Sequence, residues 1–293
     1  MTYLKHGTND YNLVRKEIQF KYGVYSEKYF NLQKSIRDRI DYLKKFLKDS
    51  GRKAYVLGIS GGVDSTLTGK LCQIAVDELT QEGYICNFIA MRLPANIQFD
   101  EEDAQEALKF IQPNRTLTVN VGSAANDLSS QLISQYQDFG GSIFEETIDF
   151  HKGNIKARLR MVAQYHAAAV YEGLVIGTDH NAEAVMGFFT LHGDGACDLT
   201  VLNGLNKRQI RLMAKELGAS ERIWSKPPTA DLEELKPGKL DDEGFGFPYD
   251  YLDDFLEGID IPSEIEEKIV NQYNKTRFKR KPIPGFIEDR ELS

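Results

Sequence analysis

Between Glu27 and Asp49 the apolar residues Ile36, Ile40, Leu43 and Leu47 recur three or four positions apart, the spacing of one helix face, and Ser50-Gly51 supplies a stop. The next apolar run, Ala54–Ile59, has the length of a strand and breaks at Ser60-Gly61-Gly62. A second helical stripe follows in Leu67, Leu71, Ile74, Ala75 and Leu79, then a second strand-like run over Cys86–Met91. The pattern continues with a helix over Glu101–Ile111, a strand over Thr116–Val121, a helix over Ala124–Tyr136, a long helix over Asn154–Tyr171 and a strand over Leu174–Gly177. Strands alternating with amphipathic helices predict an α/β fold: a parallel sheet with right-handed crossovers and helices on both faces. Residues 1–26 are polar and tyrosine-rich and carry no clear period. They read as an N-terminal extension to a single domain over 27–293. Ile223–Pro248 holds four of the nine prolines and reads as a long loop, while Tyr249–Leu256 and Ser263–Tyr273 read as helices.

Composition narrows the class. With 41% hydrophobic and 27% charged residues, the 293-residue chain is not mainly disordered. A net charge of −8 argues against charge-driven binding to nucleic acid or to an anionic membrane. No apolar leader or 18-residue apolar run is present, and Cys72, Cys86 and Cys197 form no pair at metal or redox spacing, so a cytoplasmic protein is expected. The five histidines make no spaced metal motif either.

The sharpest feature lies where the first strand enters the next helix. In Gly58-Ile59-Ser60-Gly61-Gly62-Val63-Asp64-Ser65 the paired glycines permit a tight turn and close backbone approach. The N–H groups there, with the hydroxyls of Ser60 and Ser65, can surround a phosphate at the positive end of the helix. Asp64 beside phosphates points to a divalent cation, Mg²⁺ being the usual one. The loop lacks the lysine of a Walker A sequence.

This turn resembles the pyrophosphate-binding loop of the ATP pyrophosphatases. Further stretches in the same order resemble ammonia-dependent NAD synthetases: Arg92-Leu-Pro94, Phe99–Gln105, Lys152–Met161, Gly177-Thr-Asp-His180, Glu183–Thr190, Gly193-Asp-Gly195, Leu205–Gln209 and Lys226–Leu232. The resemblance covers roughly residues 27–282. It implies a Rossmann-like sheet of the adenine nucleotide alpha hydrolase type. It also implies the amidation of deamido-NAD by ATP and ammonia, through an adenylylated nicotinate and with release of AMP and pyrophosphate. Members are homodimers. Carried over residue by residue, Gly58–Ser65, Arg92, Gln98, Thr178, Lys207 and Thr229 would line the ATP site, and Asp64 and Glu183 would hold Mg²⁺. Arg158, Asp198 and Lys279 would contact deamido-NAD, and Asp194 would place or deprotonate ammonia.

Two positions depart from the family pattern. Leu191 replaces a lysine and Phe278 a histidine, both expected against deamido-NAD. Other readings remain at this stage: a different acceptor for the same adenylylation chemistry, or a nucleotide sensor without catalysis. Arg158 could be a surface arginine beside the stripe Ile155, Leu159, Val162, and His166 on that stripe is expected to be a packed core residue. The basic run Lys275–Lys281 is open between a solvated tail and a phosphate contact.

Overall fold

The computed structural model describes residues 11–96, 101–136, 145–229, 234–235, 238 and 240–283. Five strands, β1 (Ala54–Gly58), β2 (Asn87–Arg92), β3 (Arg115–Thr118), β4 (Gly173–Gly177) and β5 (Leu199–Thr200), form one sheet in the order β3-β2-β1-β4-β5. Every pairing is parallel. The order reverses direction at β1, so the crevice beyond the carboxyl ends of β1 and β4 is the place where such sheets bind ligands.

Side-chain alternation along the strands divides the core into two layers. Tyr55 and Leu57 of β1, with Phe88 and Ala90 of β2, pack under α2 (Leu32–Ser50), α3 (Val63–Gln81), α4 (Glu101–Ile111) and α8 (Lys207–Glu216). Ala54, Val56, Ile89 and Met91 face the opposite way, toward α6 (Glu145–Val170). The expected elements are present with shifted ends. Helix α2 begins after Asn31, whose side chain accepts from Lys34 N and caps it, and stops at left-handed Gly51. Helix α5 covers Gly122–Tyr136, and α6 starts nine residues before Asn154.

Three expectations change. Residues 11–22 are helical (α1), and Val14 and Ile18 enter a smaller core with α7 (Asn181–Met186), α11 (Tyr249–Leu256) and α12 (Ser263–Lys275). The buried face of α6 is not the Ile155, Leu159, Val162 stripe but one containing Gly153, Ala157, Ala167 and Ala168, because small residues bring the helix close to the sheet. Val162 and His166 are exposed, so His166 is not a core residue. The span Ile223–Pro248 also contains order: it begins in the end of α9 (Glu221–Trp224), Thr229 bridges Leu240, and Asp241–Phe245 form α10. Among the described residues no helix is long and apolar enough to cross a membrane.

Candidate active site

The turn after β1 is built by close packing. Gly61 has φ +90°, and a Cβ there would stand 2.7 Å from Ala104 N at the start of α4. Both the backbone sign and the contact demand glycine. Ser60 Oγ accepts from Gly62 N at 3.2 Å and lies 3.1 Å from Ser65 Oγ, which itself donates to Gly62 O. The N-cap of α3 is Gly62, with no side chain to cap the helix, so the first-turn N–H groups are available to an anion. Arg92, at the end of β2, is buried and donates to Ile59 O and Glu101 Oε2, both at 2.5 Å. It therefore braces the turn from behind.

Asp64, in the first turn of α3, is met by two other elements. Lys207 opens α8, where Asn206 and Gln209 form a reciprocal capping box and the Asp253 carboxylate accepts from Lys207 N and Arg208 N. Its ammonium lies 2.7 Å from Asp64 Oδ2 and 3.7 Å from Glu183 Oε1. Glu183 stands in the first turn of α7, just beyond β4 and Thr178. His180, between them, is fully buried, with Nε2 3.4 Å from Glu183 Oε1 and 3.7 Å from Asp64 Oδ1. Burial alone would lower the Lys207 pKa and raise that of Asp64; their attraction outweighs it, so Lys207 moves up and Asp64 down.

The surroundings are acidic. Burial, followed by the charges of Glu183, Asp194 and Asp64, raises Asp179 to about 8. Asp241, a buried residue of α10, is raised to about 6, burial outweighing the nearby Lys207. Asp64 Oδ1, both His180 ring nitrogens, Asp241 Oδ1 and the Tyr249 hydroxyl are buried with no hydrogen-bond partner. Orphaned polar atoms converging in this way are what a cation and phosphate oxygens would satisfy. Asp64, His180 and Glu183 each offer a donor atom, all within 4.8 Å of one another.

Other expected residues are more dispersed. Thr229 is exposed and pairs with Leu240, while Asp241 N donates to Pro228 O. Gln98 lies outside the described residues. Asp194 accepts from Thr190 N at 2.9 Å, which shapes the turn after α7. Arg158 is exposed and donates to the Leu191 carbonyl, and it borders a cavity of about 250 Å³ with Tyr136 and Lys152. Asp198 accepts from Val175 N and the Tyr165 hydroxyl and borders a different cavity, of about 470 Å³, with Arg39 and Tyr42. The two lie on separate cavities in this structure.

Three of the five basic residues in the run, Arg277, Lys279 and Arg280, are packed against the protein, while Lys275 and Lys281 are exposed. Lys279 Nζ donates to the carbonyls of Gly187 and Phe189, at 2.8 and 2.6 Å, and Arg280 donates to those of Ala184 and Val185. Thr276 presses on left-handed Gly187, where a Cβ would come within 2.4 Å of it. These residues clamp the carboxyl end of α7, whose other end carries Glu183. Phe278 points outward, 63% exposed.

Asp179, His180, Asp241, Tyr249 and Asp253 join the site beyond the residues expected from the sequence. The stretch Gly177–His180 held a signal for the first two, but the other three reach the site only through tertiary packing.

A glycine turn at the switch point of a parallel sheet, with an amine and carboxylates converging on it, assigns the chain to the nucleotide-using α/β proteins. Comparison with known proteins narrows that class. The family model described as NAD synthase matches residues 35–283, and the chain belongs to this family. It is 51% identical over 261 residues to the NH3-dependent NAD⁺ synthetase of Halalkalibacterium halodurans, covering 88% of this chain and 92% of that one. The crystal structure of an NAD⁺ synthetase from Burkholderia pseudomallei is similar at TM-score 0.77 and 42% identity, over 94% of this chain and 98% of that one. An NMN synthetase from Francisella tularensis is similar at TM-score 0.74 and 30% identity, over 88% and 100% of the respective chains.

Proposed function

We propose that this protein amidates deamido-NAD, using ATP and ammonia and releasing AMP and pyrophosphate. The observation that carries the reading is the convergence of Asp64, Glu183 and Lys207 on the Gly58–Ser65 turn, in a chain about half identical to an ammonia-dependent synthetase. Adenylyl transfer needs positioning and charge neutralisation rather than a protein nucleophile. The turn, with Thr178, Arg92, Gln98 and Thr229 around it, would hold ATP. Lys207 would place a desolvated positive charge against the phosphates, exchanging part of its contact with Asp64 for them. The donor set and orphaned oxygens suit a divalent cation. Asp64 and Glu183 would hold Mg²⁺, which when bound neutralises phosphate charge.

The nicotinate carboxylate attacks the α-phosphorus, pyrophosphate leaves, and ammonia then displaces AMP from the acyl-adenylate. Asp194 would orient ammonia or take its proton. Arg158 and Asp198, with Leu191, Phe278 and Lys279, would meet deamido-NAD, and their separation on two cavities is consistent with a long ligand. A cytoplasmic homodimer is the expected state.

Purified protein given Mg-ATP, deamido-NAD and ammonium should form NAD, AMP and pyrophosphate in equal amounts. Likeness to an NMN synthetase makes nicotinate mononucleotide the acceptor to run beside it. Turnover of the mononucleotide alone would replace this reading.

A further inference from the structure

We infer that Asn181 and Gln209 are positioning residues, through which the chain at the carboxyl end of α1 sets Glu183 and Lys207 against each other. The inference rests on the reading of Glu183 and Lys207 as groups that act on ATP.

Helices α7 and α8 deliver those two side chains from different parts of the chain, and both helix starts are tied to one strap, residues 22–25. The Asn181 amide is 6% exposed. Its Oδ1 accepts from Gly204 N and its Nδ2 donates to Tyr22 O, both at 2.8 Å. Asn181 N donates to Leu205 O at 3.0 Å. Glu183 and Lys207 each stand two residues beyond that last bond. The Gln209 amide, 2% exposed, repeats the arrangement. Its Oε1 accepts from Asn206 N within the capping box of α8, and its Nε2 donates to Tyr25 O at 2.6 Å.

Each amide thus spends its acceptor on the loop before α8 and its donor on the strap. If the strap moved, two buried NH₂ groups would lose their acceptors, and that penalty fixes its place. The strap is itself anchored, because Val24 N donates to Leu256 O at 2.9 Å and Val14 and Ile18 enter the smaller core. Water could satisfy the same amide donors, but it would leave the two helix starts free to shift against each other. A shared strap does not. The stake is catalytic geometry, since a misplacement of about 1 Å can cost about 100-fold in rate. Lys207 Nζ stands 3.7 Å from Glu183 Oε1.

The test combines turnover of the full chain with Mg-ATP, deamido-NAD and ammonium, well below its melting temperature, with amide hydrogen exchange. Asn181→Ala should lower kcat about tenfold and leave KM for deamido-NAD within about twofold. It should also speed exchange at Gly204 and in the first turn of α8. Ile18→Ala, which alters no polar group and loosens α1, should do the same to a smaller degree. Val76→Ala, in the main core at the far end of α3, is the control for lost stability alone and should keep the wild-type kcat. In a Lys207→Met background, Asn181→Ala should cost less than about twofold more, because the positioned group is gone. Wild-type kcat in Asn181→Ala, or the same tenfold loss repeated in the Lys207→Met background, would overturn the inference. In wild-type protein, Mg-ATP should slow exchange at Val24 as well as at Gly204, because coupling between site and strap acts both ways. Protection of Gly204 without Val24 would overturn it too, and this arm needs no variant to fold. If wild-type protein turns over no deamido-NAD, the amidation reading fails. The exchange measurements then decide by themselves whether the strap sets the two helix starts.

Discussion

Lys207 Nζ lies 2.7 Å from Asp64 Oδ2 across 143 residues of sequence, and the lysine side chain is 2% exposed. Neither residue reaches the other by local geometry. Asp64 is set by the glycine turn after β1, and Lys207 by the capping box of α8 and the carboxylate of Asp253. The pair therefore reports whether the sheet, α3, α8 and α11 are correctly assembled.

Lys207→Met should lower turnover by about two orders of magnitude or more, the scale for removing a preorganised charge from a transition state. It should also cost about 1–3 kcal/mol of stability, because Asp64 and Glu183 lose their common counter-charge. Added Mg²⁺ should raise the melting temperature of this variant more than that of wild type. Equal shifts in the two proteins would separate the cation from this carboxylate pair.

Stability should fall as pH rises from about 6 to 8 in the absence of divalent cations, above the range in which the lowered carboxylates titrate. Asp179 is raised to about 8 by burial and neighbouring carboxylates, and burial raises Asp241 and Asp253 to about 6. Across that window the folded chain holds protons that the unfolded chain has released, so rising pH favours unfolding. Asp241 and Asp253 act mainly below pH 6, and Asp179 carries the slope above it. Asp179→Asn should flatten the fall between pH 6 and 8 in melting curves recorded with EDTA. An unchanged slope would assign the effect elsewhere.

Much of this fold could be read along the chain where burial falls on large apolar residues. Strands β1 and β2 and helices α2 and α3 are of that kind: Leu43, Leu47, Leu67 and Leu71 are fully buried. The orientation of helix α6 is not legible in the sequence because its sheet-facing side uses glycine and alanine, which carry little hydrophobic signal. Helix α1 leaves little period in the sequence because only Val14 and Ile18 of its twelve residues are buried. At the site, the turn and Asp64 were legible from local chemistry. Glu183 and Lys207 came through resemblance to a family, and Asp241 and Tyr249 depend on how α10 and α11 fold back.

Ammonia, and not glutamine, should support the reaction. Using glutamine requires a thiolate and a base beside it. Burial pushes the thiols of Cys72 and Cys86 up, and that of Cys197 up to about 11, so none is ionised near neutral pH. Assays with glutamine freed of ammonium should give no NAD, and iodoacetamide under native conditions should leave ammonia-driven turnover nearly intact. Glutamine-driven synthesis by the pure chain would contradict both expectations.

Asp149 should govern the segment that carries Thr229. Its buried carboxylate accepts from Glu234 N and Leu235 N at 2.8 and 2.9 Å, while Lys152 and Lys156 pair with the Glu234 side chain. Asp149→Ala should speed proteolytic cleavage between Thr229 and Leu240 and raise KM for ATP more than it lowers kcat. Wild-type cleavage and KM would show that these bonds do not hold the segment in place.

The two departures from the family pattern should weaken deamido-NAD binding and leave ATP binding ordinary. Leu191 and Phe278 supply no charge where lysine and histidine are expected, and Lys279 is tied to the carbonyls of Gly187 and Phe189. Arg158 meets Leu191 only through its backbone carbonyl, so a side-chain exchange at 191 leaves that bond in place. Phe278 is 63% exposed, so histidine fits there without disturbing the core. A charged hydrogen bond contributes about 1.5–3 kcal/mol, or roughly one to two orders of magnitude in affinity. Leu191→Lys with Phe278→His should therefore lower KM for deamido-NAD by about tenfold, with KM for ATP nearly constant. The gain should shrink at high salt if the new charges act at long range on an exposed anion. A rise in KM for deamido-NAD would mean that the exposed Phe278 ring already stacks on the ligand, in which case Phe278→Tyr should bind as wild type does and Phe278→Ala should bind more weakly.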